Sequence, residues 1–133
     1  MIRIILAFIL TLNISGVNAQ QQSGQDMMVR IAEIEVHPEY LNEYKDILAK
    51  EAAASIQKET GVIAIFPMFE QKQHHQIRII EIYANKDTYE AHLKTAHFLH
   101  YKTSTSKMVK SLKLVEMEAL DKQTMSQIFK KLQ

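Results

Sequence analysis

The stretch Val62-Ile63-Ala64-Ile65-Phe66-Pro67-Met68-Phe69-Glu70-Gln71-Lys72-Gln73-His74-His75-Gln76-Ile77-Arg78-Ile79-Ile80-Glu81-Ile82-Tyr83-Ala84 decides the fold. Val62 to Phe69 is short and almost wholly apolar, the pattern of a strand covered on both faces. Ile77 to Ala84 reads as a second strand. Ile77, Ile79, Glu81 and Tyr83 share one face, and Arg78, Ile80, Ile82 and Ala84 share the other, because strand side chains alternate. The polar run Lys72-Gln73-His74-His75 between them is the turn. Two strands in direct succession make a hairpin, so the fold turns on what flanks it.

A long helix precedes the hairpin. Tyr40, Leu41, Tyr44, Ile47, Leu48, Ala52 and Ile56 recur at spacings of three and four, which makes one buried stripe. Pro38 suits its first turn, Glu39 places an acid near its positive end, and Lys58 followed by Gly61 marks its end. Before it, Met28 to Val36 reads as a strand in which Ile31, Ile34 and Val36 alternate imperfectly with Arg30, Glu33 and Glu35. After the hairpin, Asp87-Thr88-Tyr89-Glu90 reads as a capping box opening a helix through Tyr89, His92, Leu93 and Ala96. A second helical piece, Phe98 to Lys110, carries Phe98, Tyr101 and Met108 on one side, and Lys107, Lys110 and Lys113 read as a solvated face with one lysine per turn. Leu112 to Ala119 is the last strand, and a short amphipathic helix follows within residues 121–133. The order β-α-β-β-α-β is the ferredoxin-like split βαβ arrangement, an α+β domain over residues 28–120. Helices cover one face of such a sheet. The other face is still apolar on the second strand, and a second copy of the chain is the simplest cover, giving a homodimer.

The leader reads differently from the domain. Arg3 precedes an apolar core from Ile4 to Leu12, and Val17-Asn18-Ala19 supplies residues tolerated at a cleavage position, so residues 1–19 read as a secretory signal peptide. The core is shorter than the roughly 20 residues that span a bilayer, so no stable membrane anchor is expected after cleavage. The polar residues 20–27 read as a flexible mature N-terminus, and the protein is expected to be exported, to a periplasm or beyond. Of 16 basic residues only Arg3 lies in the leader, leaving fifteen against 15 acidic residues. A formally neutral domain argues against nucleic acid as the main partner. With no cysteine, disulfides, thiolate nucleophiles and cysteine-held metals are excluded. No Gly-rich phosphate loop or dinucleotide fingerprint is present, and no cofactor is expected.

Glu81-Ile82-Tyr83-Ala84-Asn85-Lys86-Asp87-Thr88-Tyr89-Glu90-Ala91-His92-Leu93-Lys94-Thr95-Ala96-His97-Phe98 resembles the signature of the antibiotic-biosynthesis-monooxygenase family. The matching features are Glu81 and Tyr83 ending the third strand, an acid-led helix, and the steps His92-Leu93 and His97-Phe98. Glu59-Thr60-Gly61 fits the Glu-x-Gly that ends the first helix in that family. The resemblance covers Met28 to Glu118 and implies a dimeric α+β barrel with a pocket inside each subunit. Val36-His37, Ser55 and the His92-x4-His97 step fit the branch of quinol monooxygenases and autoinducer-2-processing isomerases. Haem degradation is the least favoured family activity, because relatives that degrade haem use a tryptophan and this chain has none.

Histidine accepts and returns protons near neutral pH. From spacing alone, His92 and His97 are hydrogen-bonded core or interface histidines; the resemblance implies that they line the pocket and serve as base. Glu81, a carboxylate inside an apolar strand, must be paired or protonated, and is either a structural partner or a third catalytic group. Phe66 and Tyr83 are read as an aromatic wall for a flat substrate, or as ordinary core. Ser55, Tyr101 and Arg78 are further candidate substrate contacts. No metal site is expected, because His92 and His97, five positions apart, are rotated off a common helix face and zinc wants three or more protein ligands. The function that the resemblance implies is cofactor-independent oxidation of a small quinol or hydroxyaromatic with O2. The alternatives are isomerisation of a small dicarbonyl or hydroxyketone, and a non-catalytic dimeric module that binds a small ligand.

Overall fold

A computed structural model describes residues 27–131. The leader and most of the expected flexible N-terminus lie outside the described residues. The elements are β1 (Met28–Val36), a 3-10 turn (Pro38–Tyr40), α1 (Leu41–Lys58), β2 (Val62–Phe69), β3 (Gln76–Tyr83), α2 (Lys86–His92), α3 (Ala96–Thr105), β4 (Val109–Met117) and α4 (Lys122–Lys130). This is the expected ferredoxin-like α+β order with a C-terminal helix. None of the described helices is long and apolar enough to cross a membrane.

The four strands form one antiparallel sheet in the order β2-β3-β1-β4. Register fixes the two faces. Arg30 pairs with Glu81, Ala32 with Ile79 and Ile34 with Ile77, and these side chains meet the helices. Val29 pairs with Ile82, Ile31 with Ile80 and Glu33 with Arg78 on the opposite face. Arg30 therefore points toward the helices with Ala32, Ile34 and Val36, not outward with Glu33 and Glu35 as the apolar pattern suggested. The imperfect alternation was the sign of it: even positions of β1 run Arg, Ala, Ile, Val.

The core packs Ala32, Ile34, Val36, Ile77 and Ile79 against Tyr44 and Leu48 of α1 and against Met108. Burying each large aliphatic or aromatic side chain contributes about 1.5–3 kcal/mol, which is what pins α1 to the sheet. The buried face of α1 is Tyr44, Leu48, Glu51, Ala52 and Ser55. Ile56, expected on this stripe, is 46% exposed. A glutamate and a serine thus occupy positions that the helical period assigns to the core.

Boundaries differ where polar side chains compete with the backbone. Asn85, not Asp87, caps α2, accepting from the Thr88 amide at 2.8 Å. The second helical piece ends at Thr105, not Lys110. Thr103, Thr105 and Ser106 donate their hydroxyls back to the carbonyls of Leu99, Tyr101 and Thr103, a habit that weakens helices. Lys110 and Lys113 consequently lie on β4, bridging to Glu35 at 2.7 Å and Glu33 at 3.7 Å, rather than on one lysine face of a helix. β2 is an edge strand and only partly covered, with Phe66 and Phe69 exposed. Pro67 is tolerated there because an edge strand leaves some amides unpaired.

Among the described residues, Gly61 is a glycine whose lack of a side chain is required by packing. A Cβ there would stand 2.5 Å from a Thr88 side-chain carbon. Its carbonyl also accepts from the Ala84 amide at 2.8 Å. The end of α1 and the start of α2 are thereby drawn together, which brings Glu59 next to the α2–α3 junction.

Candidate active site

A cavity of about 470 Å³ lies between the sheet and the helices. Its floor is Ala32, Ile34 and Ile79; Leu48, Leu93 and Phe98 close the helical side; Leu112 and Leu114 flank it on β4. That volume suits a small aromatic or similar organic molecule, and the few polar groups reaching an apolar wall are what such sites use for orientation. Those groups include Arg30, Glu51, Glu81, Tyr83, His92 and Tyr101, with Lys102 at the same wall.

Local structure explains how His92 and His97 come to share one partner. α2 ends at His92 and α3 begins at Ala96. Thr95 joins them: its hydroxyl donates to the His92 carbonyl at 2.8 Å and accepts from the Phe98 amide at 3.3 Å. The chain turns there, so the two histidines are not five steps along one helix. Glu59 caps the C-terminal end of α1 in an extended conformation. Its Oε1 lies 2.9 Å from His92 Nδ1 and 2.5 Å from His97 Nε2. A carboxylate only accepts, so a His92 proton sits on Nδ1 and the neutral ring presents the Nε2 lone pair on its other side. Nε2 lies 3.6 Å from Glu51 Oε1, and the Ser55 hydroxyl donates to that same oxygen at 2.8 Å.

Burial works against the Glu59 charge, but the hydrogen bonds from His92 and His97 outweigh it and hold its carboxyl below the ordinary range. Glu81 behaves oppositely. Burial pushes its pKa up, only partly offset by the Tyr83 hydroxyl donating at 3.0 Å and by the Arg30 charge. The Tyr83 and Tyr44 hydroxyls are both pushed up by burial first and by neighbouring groups second. Burial also raises Tyr101, to about 12; its hydroxyl and that of Tyr44 stand 2.7 Å apart. These phenols remain neutral donors at physiological pH. Arg30 reaches the Glu116 carboxylate through Nε at 2.9 Å and stacks over the Tyr89 ring at 4.3 Å, presenting a fixed cation to the cavity.

Of the candidates from sequence, His92, Glu81, Tyr83 and Tyr101 line this cavity. His97 does not: it lines a smaller cavity of about 140 Å³ and is linked to His92 through the Glu59 oxygen that both contact. Ser55 is fully buried behind Glu51. Phe66 aligns with Ile80 on the opposite face of the sheet and is 59% exposed, so the aromatic wall it was to form with Tyr83 does not exist within one chain. Arg78 faces the same way and pairs with Glu70 at 3.1 Å. Arg30, Glu51 and Glu59 were missed. The signal for Glu51 was its place on the apolar stripe, three residues after Leu48 and four before Ser55. His92 and His97 belong to two helices, so the rotation expected along a single helix does not separate them. Glu51, His92 and His97 each offer a ligand atom within 4.8 Å of the others.

The family model described as antibiotic biosynthesis monooxygenase matches residues 27–104. The chain belongs to that family. A protein of Bacteroides thetaiotaomicron, provisionally named an antibiotic biosynthesis monooxygenase, is 35% identical with a TM-score of 0.73, over 74% of this chain and 93% of its own. A protein of Lactobacillus acidophilus, provisionally named a monooxygenase, is 26% identical with a TM-score of 0.69, over 70% of this chain and 44% of its own. A third, from Nitrosomonas europaea, shares the fold at 20% identity and a TM-score of 0.69, over 73% of this chain and 93% of its own. Among proteins with curated descriptions there is no match. The antibiotic biosynthesis monooxygenase match ends at Ser104, so it includes the whole Glu59–His92–His97 cluster but stops short of β4.

Proposed function

We propose that the protein is a monooxygenase that oxidises a small quinol or hydroxyaromatic with O2, working as an exported homodimer. The observation that carries the reading is His92, 3% exposed, lining an apolar cavity with Nδ1 held by Glu59. An orienting carboxylate on one ring nitrogen leaves the other free to act as base. Transfer of the substrate hydroxyl proton to His92 Nε2 generates an electron-rich anion beside the Arg30 cation. That anion passes one electron to O2, and the radical pair closes to a carbon–oxygen bond. The resulting peroxide loses water. One oxygen atom ends as a new carbonyl and the other as water, carrying the hydrogens lost from the hydroxyl and the ring. The electrons come from the substrate, and the protein's part is to deprotonate, orient and exclude water.

Isomerisation of a small dicarbonyl or hydroxyketone is the second reading, and one observation favours it. Glu81, raised by burial, faces the same cavity as His92. A carboxyl shifted by burial toward its protonated form, beside an imidazole base, is a pair suited to moving a proton between carbons and oxygens of an enediol.

The apolar side chains on the open face of the sheet support the dimer, and the leader at residues 1–19 supports export. The deciding experiment is oxygen consumption by the purified protein with a panel of quinols and hydroxyaromatics, in wild type, His92→Ala and His97→Ala. Uptake that collapses in His92→Ala supports the oxygenase. Absence of uptake from folded protein, with turnover of a dicarbonyl instead, would move the assignment to the isomerase.

A further inference from the structure

We propose that Glu51, His92 and His97 form a binding site for a divalent transition-metal cation. The cluster's geometry carries this site, and a cation held there takes the His92 Nε2 lone pair, so a metal-loaded chain cannot use that nitrogen as a base. Among the described residues this is the one group of three whose donor atoms all lie within 4.8 Å of one another. They come from the middle of α1, the last residue of α2 and the first turn of α3. Three rigid elements therefore converge on one point. Donors around a four-coordinate cation with bonds of about 2.0–2.2 Å stand roughly 3–3.5 Å apart. His92 Nε2 and Glu51 Oε1, at 3.6 Å, are already close to that separation.

The surroundings are those of a supported ligand set. Glu59 Oε1 holds His92 Nδ1 at 2.9 Å, fixing the tautomer that leaves Nε2 to coordinate, and lies 2.5 Å from His97 Nε2, so His97 coordinates through Nδ1 or displaces Glu59. Ser55 holds Glu51 Oε1 at 2.8 Å. Outer contacts of this kind orient metal-binding histidines and carboxylates. Charge also favours a cation. Glu51, 6% exposed, and Glu59 are paired with histidines, not with lysine or arginine; Arg30 and Lys102 line the larger cavity, and Arg30 is engaged by Glu116 and the Tyr89 ring. Lys50 lines the smaller cavity and opposes a cation there, but it is an exposed side chain free to turn outward.

The smaller cavity supplies access. It borders Glu51 and His97, while the larger one borders Glu51 and His92. A cation at the cluster would sit in the wall between them, with open positions for water. Imidazole and carboxylate donors without thiolate suit iron(II), cobalt(II) or zinc, and two histidines with one carboxylate is a ligand set that leaves coordination sites free.

The test uses cobalt(II) as a visible-absorption probe, added to chelator-treated wild-type protein in the absence of substrate. Saturable binding at one equivalent per chain is expected, competed by zinc. It should weaken at least about tenfold in His97→Ala and in Glu51→Gln, the scale of losing a metal contact. His74→Ala, in the β2–β3 turn, should bind as wild type does. Melting curves report folding of each variant, and zinc should raise the melting temperature of wild type but not of His97→Ala. Binding no tighter than millimolar, or binding that survives both His97→Ala and Glu51→Gln in folded protein, would overturn the site. Because no substrate is present, this outcome is independent of whether oxygen uptake is found.

Discussion

The two faces of the sheet treat polar side chains in opposite ways. On the helix-covered face, Arg30 and Glu81 stand side by side among Ala32, Ile34, Ile77 and Ile79. Each is partnered: Arg30 by Glu116 and the Tyr89 ring, Glu81 by the Tyr83 hydroxyl. Among the described residues no buried side-chain donor or acceptor lacks a partner. On the open face, Ile31, Phe66 and Ile80 form an apolar block, and Glu33, Arg78 and Lys113 stand at its edge in exposed or half-exposed ion pairs. Such surface pairs contribute little, commonly under about 1 kcal/mol. Buried, partnered polar groups are expensive to arrange and mark where chemistry is done. An exposed apolar block rimmed by charge marks a surface for association.

Four changes would break or sharpen that contrast. The largest effect is expected on the covered face. His92→Ala should lower the oxygen-uptake rate by about 10²–10⁴-fold, the usual contribution of a positioned base, while melting curves confirm that the protein is folded. Glu59→Gln should cost about 1–3 kcal/mol of stability at neutral pH by disrupting two part-buried partnerships. The sign of its pH dependence follows from the depressed carboxyl. The wild-type advantage is fully present above the ordinary value of 4.5 and is lost as pH falls through the lower folded value. Denaturant titrations at several pH values should therefore show the two proteins converging in acid; a gap that stays constant would mean Glu59 acts by packing alone.

On the open face, where the proposed homodimer would form, Phe66→Asp should shift the species measured by light scattering from dimer toward monomer and leave the melting of the monomer within about 0.5 kcal/mol, as surface changes usually do. Dimers that persist would locate the association surface elsewhere. The smallest effect is expected from Ser55→Ala, about 0.5–1.5 kcal/mol for the hydrogen bond to Glu51. A larger loss in unfolding experiments would show that Ser55 sets the position of α1 rather than of one carboxylate.

The covered face was only half legible in the sequence. β2 and β3 announced themselves through length and alternation, and α1 through its stripe from Tyr44 to Ala52. The helix after Ala96 overran because apolar spacing says nothing about hydroxyls that fold back on their own carbonyls. Glu81 and His92 stood out as polar residues at apolar positions. Glu51 obeyed the same rule but hid among acids and lysines on a helix whose exposed face is charged. Glu59 looked like punctuation, since residues at a helix end are ordinarily read as caps. What linked it to His92, 33 residues away, was the close approach at Gly61 and the turn at Thr95. Both depend on three-dimensional packing that no local period encodes.

Pro67 carries one more consequence. It lies on the outer strand of the sheet, opposite Ile79, and has no amide hydrogen to offer. A stray β-segment trying to extend the sheet past β2 would meet a gap in the ladder of donors. Open-ended fibre growth from that side is thereby discouraged, even though β2 is the most apolar strand in the chain and its phenylalanines face water.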